Sequence, residues 1–268
     1  MPGKTQWRLM TWRDVAAAAR DKRTVLIPTG TCETQGKHTC VGFEYILPER
    51  LAAAVAERTN AVVTPVIPFG WSADFEDYPG TISLRPETVA QLYEDVFRAV
   101  LSHGFDHLLV LATHIPNQPM IEQAAYRLRK ELGVRIAWIN PGQLANRMLE
   151  RVSPNLDAAK GHGADPGISL GEFLEPGSTD FSDMEPNVTV GTFEGFPLTR
   201  MAPSFEDFPI GFPLMLQDIA PESSGAGDPT IGDAEQGQRI FDLLVDYTTR
   251  LVKQFAQSNT RVSQGSPQ

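Results

Sequence analysis

Four short apolar runs, each separated from the next by a stretch with helical spacing, constrain the fold of this chain most. They cover residues 24–29, 61–67, 107–111 and 134–139. Strands of this kind, alternating with helices, build βαβ units and a parallel sheet covered on both faces. Thr11 caps a short alanine-rich helix. A second helix is expected over 48–58, opening on Pro48, with Leu51 and Val55 on one face. Over 86–102, Val89, Leu92, Val96, Ala99 and Val100 recur at amphipathic spacing. A helix over 118–132 closes at Gly133, and a long one occupies 233–255. Residues 177–227, rich in Pro, Gly, Phe and acids, read as irregular loops and short strands. The polar residues 256–268 read as a disordered tail, which leaves one domain over 1–255.

The chain has 268 residues, enough for a sizeable core, and a formal net charge of −10. That charge argues against binding nucleic acid or an anionic membrane. No apolar run approaches the length of a membrane span. The charged N-terminal stretch lacks a secretory h-region, and two cysteines make no disulfide framework. A cytoplasmic location is expected.

In a parallel sheet, ligands sit beyond the carboxyl ends of the strands. The first run leads into Glu33-Thr34-Gln35-Gly36-Lys37-His38, followed by Glu44. Such a mixture of oxygen and nitrogen donors suits hard and borderline cations. The second run delivers Trp71, Asp74, Glu76 and Asp77, and the third delivers His114 and Asn117. His162, between glycines, precedes Asp165 and a helix near 168–173. Each residue also has an ordinary use. The loop could be a polar stretch at the surface, His114 a satisfied core histidine, Trp71 a core aromatic, and Cys32 and Cys40 inert thiols. Convergence from separate segments favours a site.

These segments, in order, resemble the creatininase (creatinine amidohydrolase) family. The resemblance rests on Leu9-Met10-Thr11-Trp12, on residues 27–38, and on Phe69-Gly70-Trp71-Ser72 through Tyr78-Pro79-Gly80-Thr81-Ile82-Ser83-Leu84. It continues through His103-Gly104-Phe105 and Thr113–Asn117 to 225–237. It implies a three-layer α/β/α sandwich with a mostly parallel central sheet. It also implies hexamers and a two-metal site that hydrolyses C–N bonds in small amides. By the same resemblance Glu33, Glu44 and His114 are the first-metal ligands, for Zn²⁺ or Mn²⁺, and His162 is the proton shuttle.

The chain departs from the family pattern in several places. Gln35 stands where a second-metal histidine belongs. Pro116 stands where creatininase itself has a carboxylate, Phe75 replaces a histidine, and the glutamate after His162 is gone. Lys37 replaces a proline. One metal rather than two is therefore expected. Asp165 is expected to orient His162, Lys37 to neutralise an oxyanion, and Gln35, His38, Trp71 and Asn117 to contact substrate. The expected activity is metal-dependent hydrolysis of a C–N bond in a small polar amide, cyclic amides included. A lyase or isomerase using one Lewis-acid metal, or a non-catalytic member, are the alternatives.

Overall fold

The computed structural model describes residues 4–153, 156–182, 184–199 and 201–262. A parallel sheet of four strands forms the centre: β1 (Val25–Thr29), β2 (Val62–Val63), β3 (Leu108–Ala112) and β4 (Ala137–Ile139), in the order β2-β1-β3-β4. Successive side chains leave opposite faces of a strand. Val25, Ile27, Leu108 and Val110 enter one core with α1 (Trp12–Arg20), α3 (Pro86–Ser102) and α4 (Gln118–Leu132). Leu26, Leu109 and Leu111 enter the other, with α2 (Phe43–Thr59) and α5 (Pro141–Val152). The remaining helices are α6 (Leu156–Ala159), α7 (Gly167–Leu174), α8 (Leu216–Ile219) and α9 (Ala234–Phe255). The parallel sheet covered on both faces, expected from the alternation, is present, and with it the α/β/α layering that the resemblance implies. Among the described residues no helix is long and apolar enough to cross a membrane.

Helices α3 and α4 match the sequence reading at both ends, and α9 starts one residue late because Asp233 caps it through the Gln236 N–H. Three elements differ. The second strand pairs only over Val62–Val63, and Ile67 rejoins as an isolated bridge to Thr29. Pro65 interrupts it, having no N–H for a ladder. The fourth strand begins at Ala137 because Val134 pairs instead with Arg261. That contact also corrects the tail. Arg135 N–H donates to the Thr260 carbonyl and Val262 N–H to that of Gly133, so the chain is held through 262. Residues 263–268 of the expected tail lie outside the described residues.

The third difference positions the site. Helix α2 starts at Phe43, with Pro48 inside it rather than at its start. Pro48 has no N–H to give the carbonyl four residues back, that of Glu44. Gly30 packs against this carbonyl, and a Cβ there would lie 2.0 Å from it. Glu44 thus falls in the first helical turn, beside the end of β1. Helix α5 was missed by the sequence reading; Asn140 caps it, its Oδ1 accepting from Gln143 N–H. Four short strands, β5 (Thr192–Phe193), β6 (Phe196–Thr199), β7 (Ala202–Phe205) and β8 (Phe208–Pro209), pair antiparallel in chain order.

Candidate metal centre

The loop after β1 folds back on itself. Glu33 N–H donates to the Val41 carbonyl, and Gln35 bridges to Thr39. This hairpin turns Glu33 inward, where it is 1% exposed. The first turn of α2 brings Glu44, and the segment after β3 brings His114. Ligand atoms of Glu33, Glu44 and His114 all lie within 4.8 Å of one another.

His114 Nδ1 lies 3.0 Å from Glu33 Oε2, and its Nε2–H donates to the Trp71 carbonyl at 2.9 Å. That second bond fixes the Nε2 proton and turns Nδ1 toward the Glu33 carboxylate. Ser72 Oγ donates to Glu33 Oε2 at 2.8 Å and pairs with Thr31 Oγ1 at 2.6 Å. Gln35 Nε2 donates to Glu33 Oε1 at 3.0 Å and Glu44 Oε1 at 3.3 Å. Glu44 Oε2 is buried without any partner. Burial and the neighbouring Glu33 charge raise the Glu44 pKa. For His114, burial works against protonation, but the Glu33 carboxylate, with Glu44 and the Trp71 carbonyl, outweighs it and raises the pKa. Two carboxylates crowded with an orphaned oxygen are costly unless a cation or proton joins them. The donor set O, O, N with no thiolate fits a Zn²⁺- or Mn²⁺-class ion.

His162 lines the same cavity. Its Nε2–H donates to the Thr34 carbonyl at 3.0 Å, and its ring stacks on Phe75 with centroids 4.8 Å apart. Burial lowers its pKa, so the ring is neutral with Nδ1 as its basic nitrogen. Phe75 also meets His114 edge-on at 6.1 Å. Phe75 therefore supplies a wall against both imidazoles.

The other sequence candidates take different places. Asp165 does not orient His162. Its Oδ1 accepts from Ser169 N–H at 3.0 Å and Oγ at 2.7 Å, and its Oδ2 accepts from Gln236 Nε2, tying α7 to α9. Lys37 is exposed, and neither it nor His38 lines the cavity. Gly36, at φ 72°, abuts Gly163 and turns the loop tip outward. The His38 carbonyl accepts from Asp180 N–H instead. Trp71 contributes its backbone to the site while its ring packs on the core. Asn117 is fully buried as a strap. Its Oδ1 accepts from Trp71 N–H at 2.9 Å and its Nδ2 donates to the Gly30 carbonyl at 3.0 Å. Gln35 is the one expected substrate contact that does line the cavity. Glu76 and Asp77 are exposed. Ser72 was overlooked as a site residue, although it sits in a motif block; only its burial beside Glu33 marks it.

Layering and trio together define an α/β protein with a buried, cation-ready centre at the strand ends. A family model described as creatininase, creatinine amidohydrolase, matches residues 8–252, and the chain belongs to that family. Over 129 residues it is 28% identical to creatinine amidohydrolase of Pseudomonas putida, a match covering 46% of this chain and half of that protein (50%). It is 24% identical over 237 residues to mycofactocin precursor peptide peptidase of Mycolicibacterium smegmatis, covering 86% of this chain and 85% of that one. A solved structure described as creatininase Mn superposes with a TM-score of 0.79 at 20% identity, over 95% of this chain and 100% of the other. At that identity the structural likeness is one of fold.

Proposed function

We propose that this protein is a metal-dependent amidohydrolase that holds one Zn²⁺ or Mn²⁺ on Glu33, Glu44 and His114. The observation that carries the reading is the orphaned Glu44 Oε2, buried beside a second carboxylate and an imidazole whose Nδ1 faces them. The count of one rests on Gln35, whose amide N–H bonds both carboxylates from the place of the missing histidine. Bound there, the ion supplies a Lewis acid for an amide carbonyl and lowers the pKa of water.

The chain's own residues do the rest. Glu33 is held by Ser72, and His114 by the Trp71 carbonyl, so two ligands are pre-set. His162, neutral and anchored at Nε2, takes a proton from water at Nδ1 as oxygen adds to the carbonyl carbon. It returns that proton to nitrogen as the C–N bond breaks. Phe75 fixes the His162 ring and keeps bulk water from it. A small-molecule amide in the cytoplasm is the expected substrate setting. The exposed rings of Phe205 and Phe208 support a homo-oligomer.

Metal analysis after loading with zinc or manganese tests the reading. One ion per chain, with oxygen from labelled water entering the acyl product, is expected. Two ions per chain overturn the mononuclear reading. Product without the label overturns hydrolysis, and full activity after stripping overturns the metal.

A further inference from the structure

The cavity around the trio has a volume of about 640 Å³, in the range of roughly 300–1,000 Å³ that houses drug-sized ligands. It follows α5. Gly142, Asn146 and Glu150 line it at i, i+4 and i+8, a single stripe of that helix. Gly142 marks the near end. A Cβ there would lie 3.1 Å from Thr113 Cγ2, and Thr113 precedes His114. Eight residues at 1.5 Å each place Glu150 about 12 Å further along. Phe43, Leu47, Leu156 and Met201 supply apolar lining. At the far end Lys160 Nζ lies 3.6 Å from Glu150 Oε1. Asp157, one turn before Lys160, lines the cavity too. Two carboxylates against one ammonium leave this mouth negative. The Glu150–Lys160 pair is half exposed and therefore weak, open to competition from a ligand cation.

We infer that the site selects elongated amides with a cationic end. The scissile carbonyl lies at Glu33 and His114, an apolar chain follows α5, and an ammonium or guanidinium group reaches Glu150 and Asp157. This deepens the amidohydrolase reading by naming its substrate class, and rests on it. The length of the stripe sets the chain length. The surplus of carboxylates sets the sign of the charge.

Three hydroxamates test the inference, because they bind a metal and resist hydrolysis. Each carries a straight chain of about eight carbons, long enough to span the stripe. One ends in an amine, one in a methyl group and one in a carboxylate. Calorimetry on zinc-loaded protein is expected to show the amine binding at least about tenfold tighter than the carboxylate. Glu150→Lys is expected to invert that order, and Asp157→Asn to narrow it. Equal binding of the three, tightest binding of the carboxylate, or an order that survives Glu150→Lys overturns the inference. So does failure of all three on protein shown to hold zinc. Protein that does not load zinc sinks the amidohydrolase reading instead. The order of the three on that metal-free protein then decides the tail preference by itself.

Discussion

Glu33 has two unlike sides. Toward Glu44 and His114 lie ligand atoms within 4.8 Å of each other, and Glu44 also has an orphaned oxygen. Beside these lie the Gln35 amide, whose N–H donates to Glu33, and the Phe75 ring, which lines the same cavity. One side is built to be completed by a charge. The other is already filled, by hydrogen bonds from Gln35 and by the ring stacked on His162. One loop thus carries a half fit for a cation beside a half occupied by packing. On the proposed reading the two are separable by experiment, the first through metal content and the second through proton transfer.

The largest effect belongs to the ligand side. Glu33→Gln and His114→Ala are expected to abolish metal retention and lower kcat/KM by about 10³-fold, several kcal/mol of transition-state stabilisation. Metal analysis beside steady-state rates checks both. On the filled side, His162→Ala is expected to lower kcat by about 10²-fold with the metal still bound. Loss of metal in that variant would break the comparison. Ser72→Ala has a smaller effect on the ligand side. It removes the hydroxyl that holds Glu33 Oε2, and metal affinity is expected to weaken by about 10–100-fold with the fold intact. A chelator titration reads this directly.

How much was legible beforehand depended on whether the signal was local. Helices α3 and α4 follow from periodicity and caps, which are properties of the segment alone. Helix α5 went unread although Leu144, Ala145, Met148, Leu149 and Val152 recur at helical spacing after the Asn140 cap, so its signal was local as well. The start of α2 was misplaced for a tertiary reason: Gly30 makes room for the Glu44 carbonyl that Pro48 leaves free. In the site, Glu33, Glu44 and His114 stood out as metal-capable residues at strand ends, and they do converge. Lys37 and Asp165, expected to take part in catalysis, and His38, Trp71 and Asn117, expected to contact substrate, take other places. Residue type gave their chemistry, but the direction of each side chain is set by contacts far away in sequence. Asp165 finds Gln236 in α9, Asn117 finds Gly30, and the tip at Lys37 is turned out by Gly163.

Asp165 offers the smallest effect on metal and rate, and a sharper test of what kind of residue it is. Burial first, and the Asp233 charge after it, raise its pKa, while hydrogen bonds from Ser169 and Gln236 pull the other way. The folded chain therefore holds this proton more tightly than the unfolded chain, where aspartate titrates near about 3.9. A raised folded pKa gives stability that is fully present below the unfolded value and is lost as pH rises through the folded one. Asp165→Asn has no such proton. Urea unfolding of the two proteins is expected to show wild-type stability, relative to the variant, declining as pH rises from about 4 and then levelling. At any pH the variant differs by no more than about 1–3 kcal/mol, the range for one disturbed buried hydrogen bond. Metal content and kcat stay at wild-type values. A shift in the pH profile of kcat instead would return Asp165 to the side of His162, and the tie between α7 and α9 would no longer account for it.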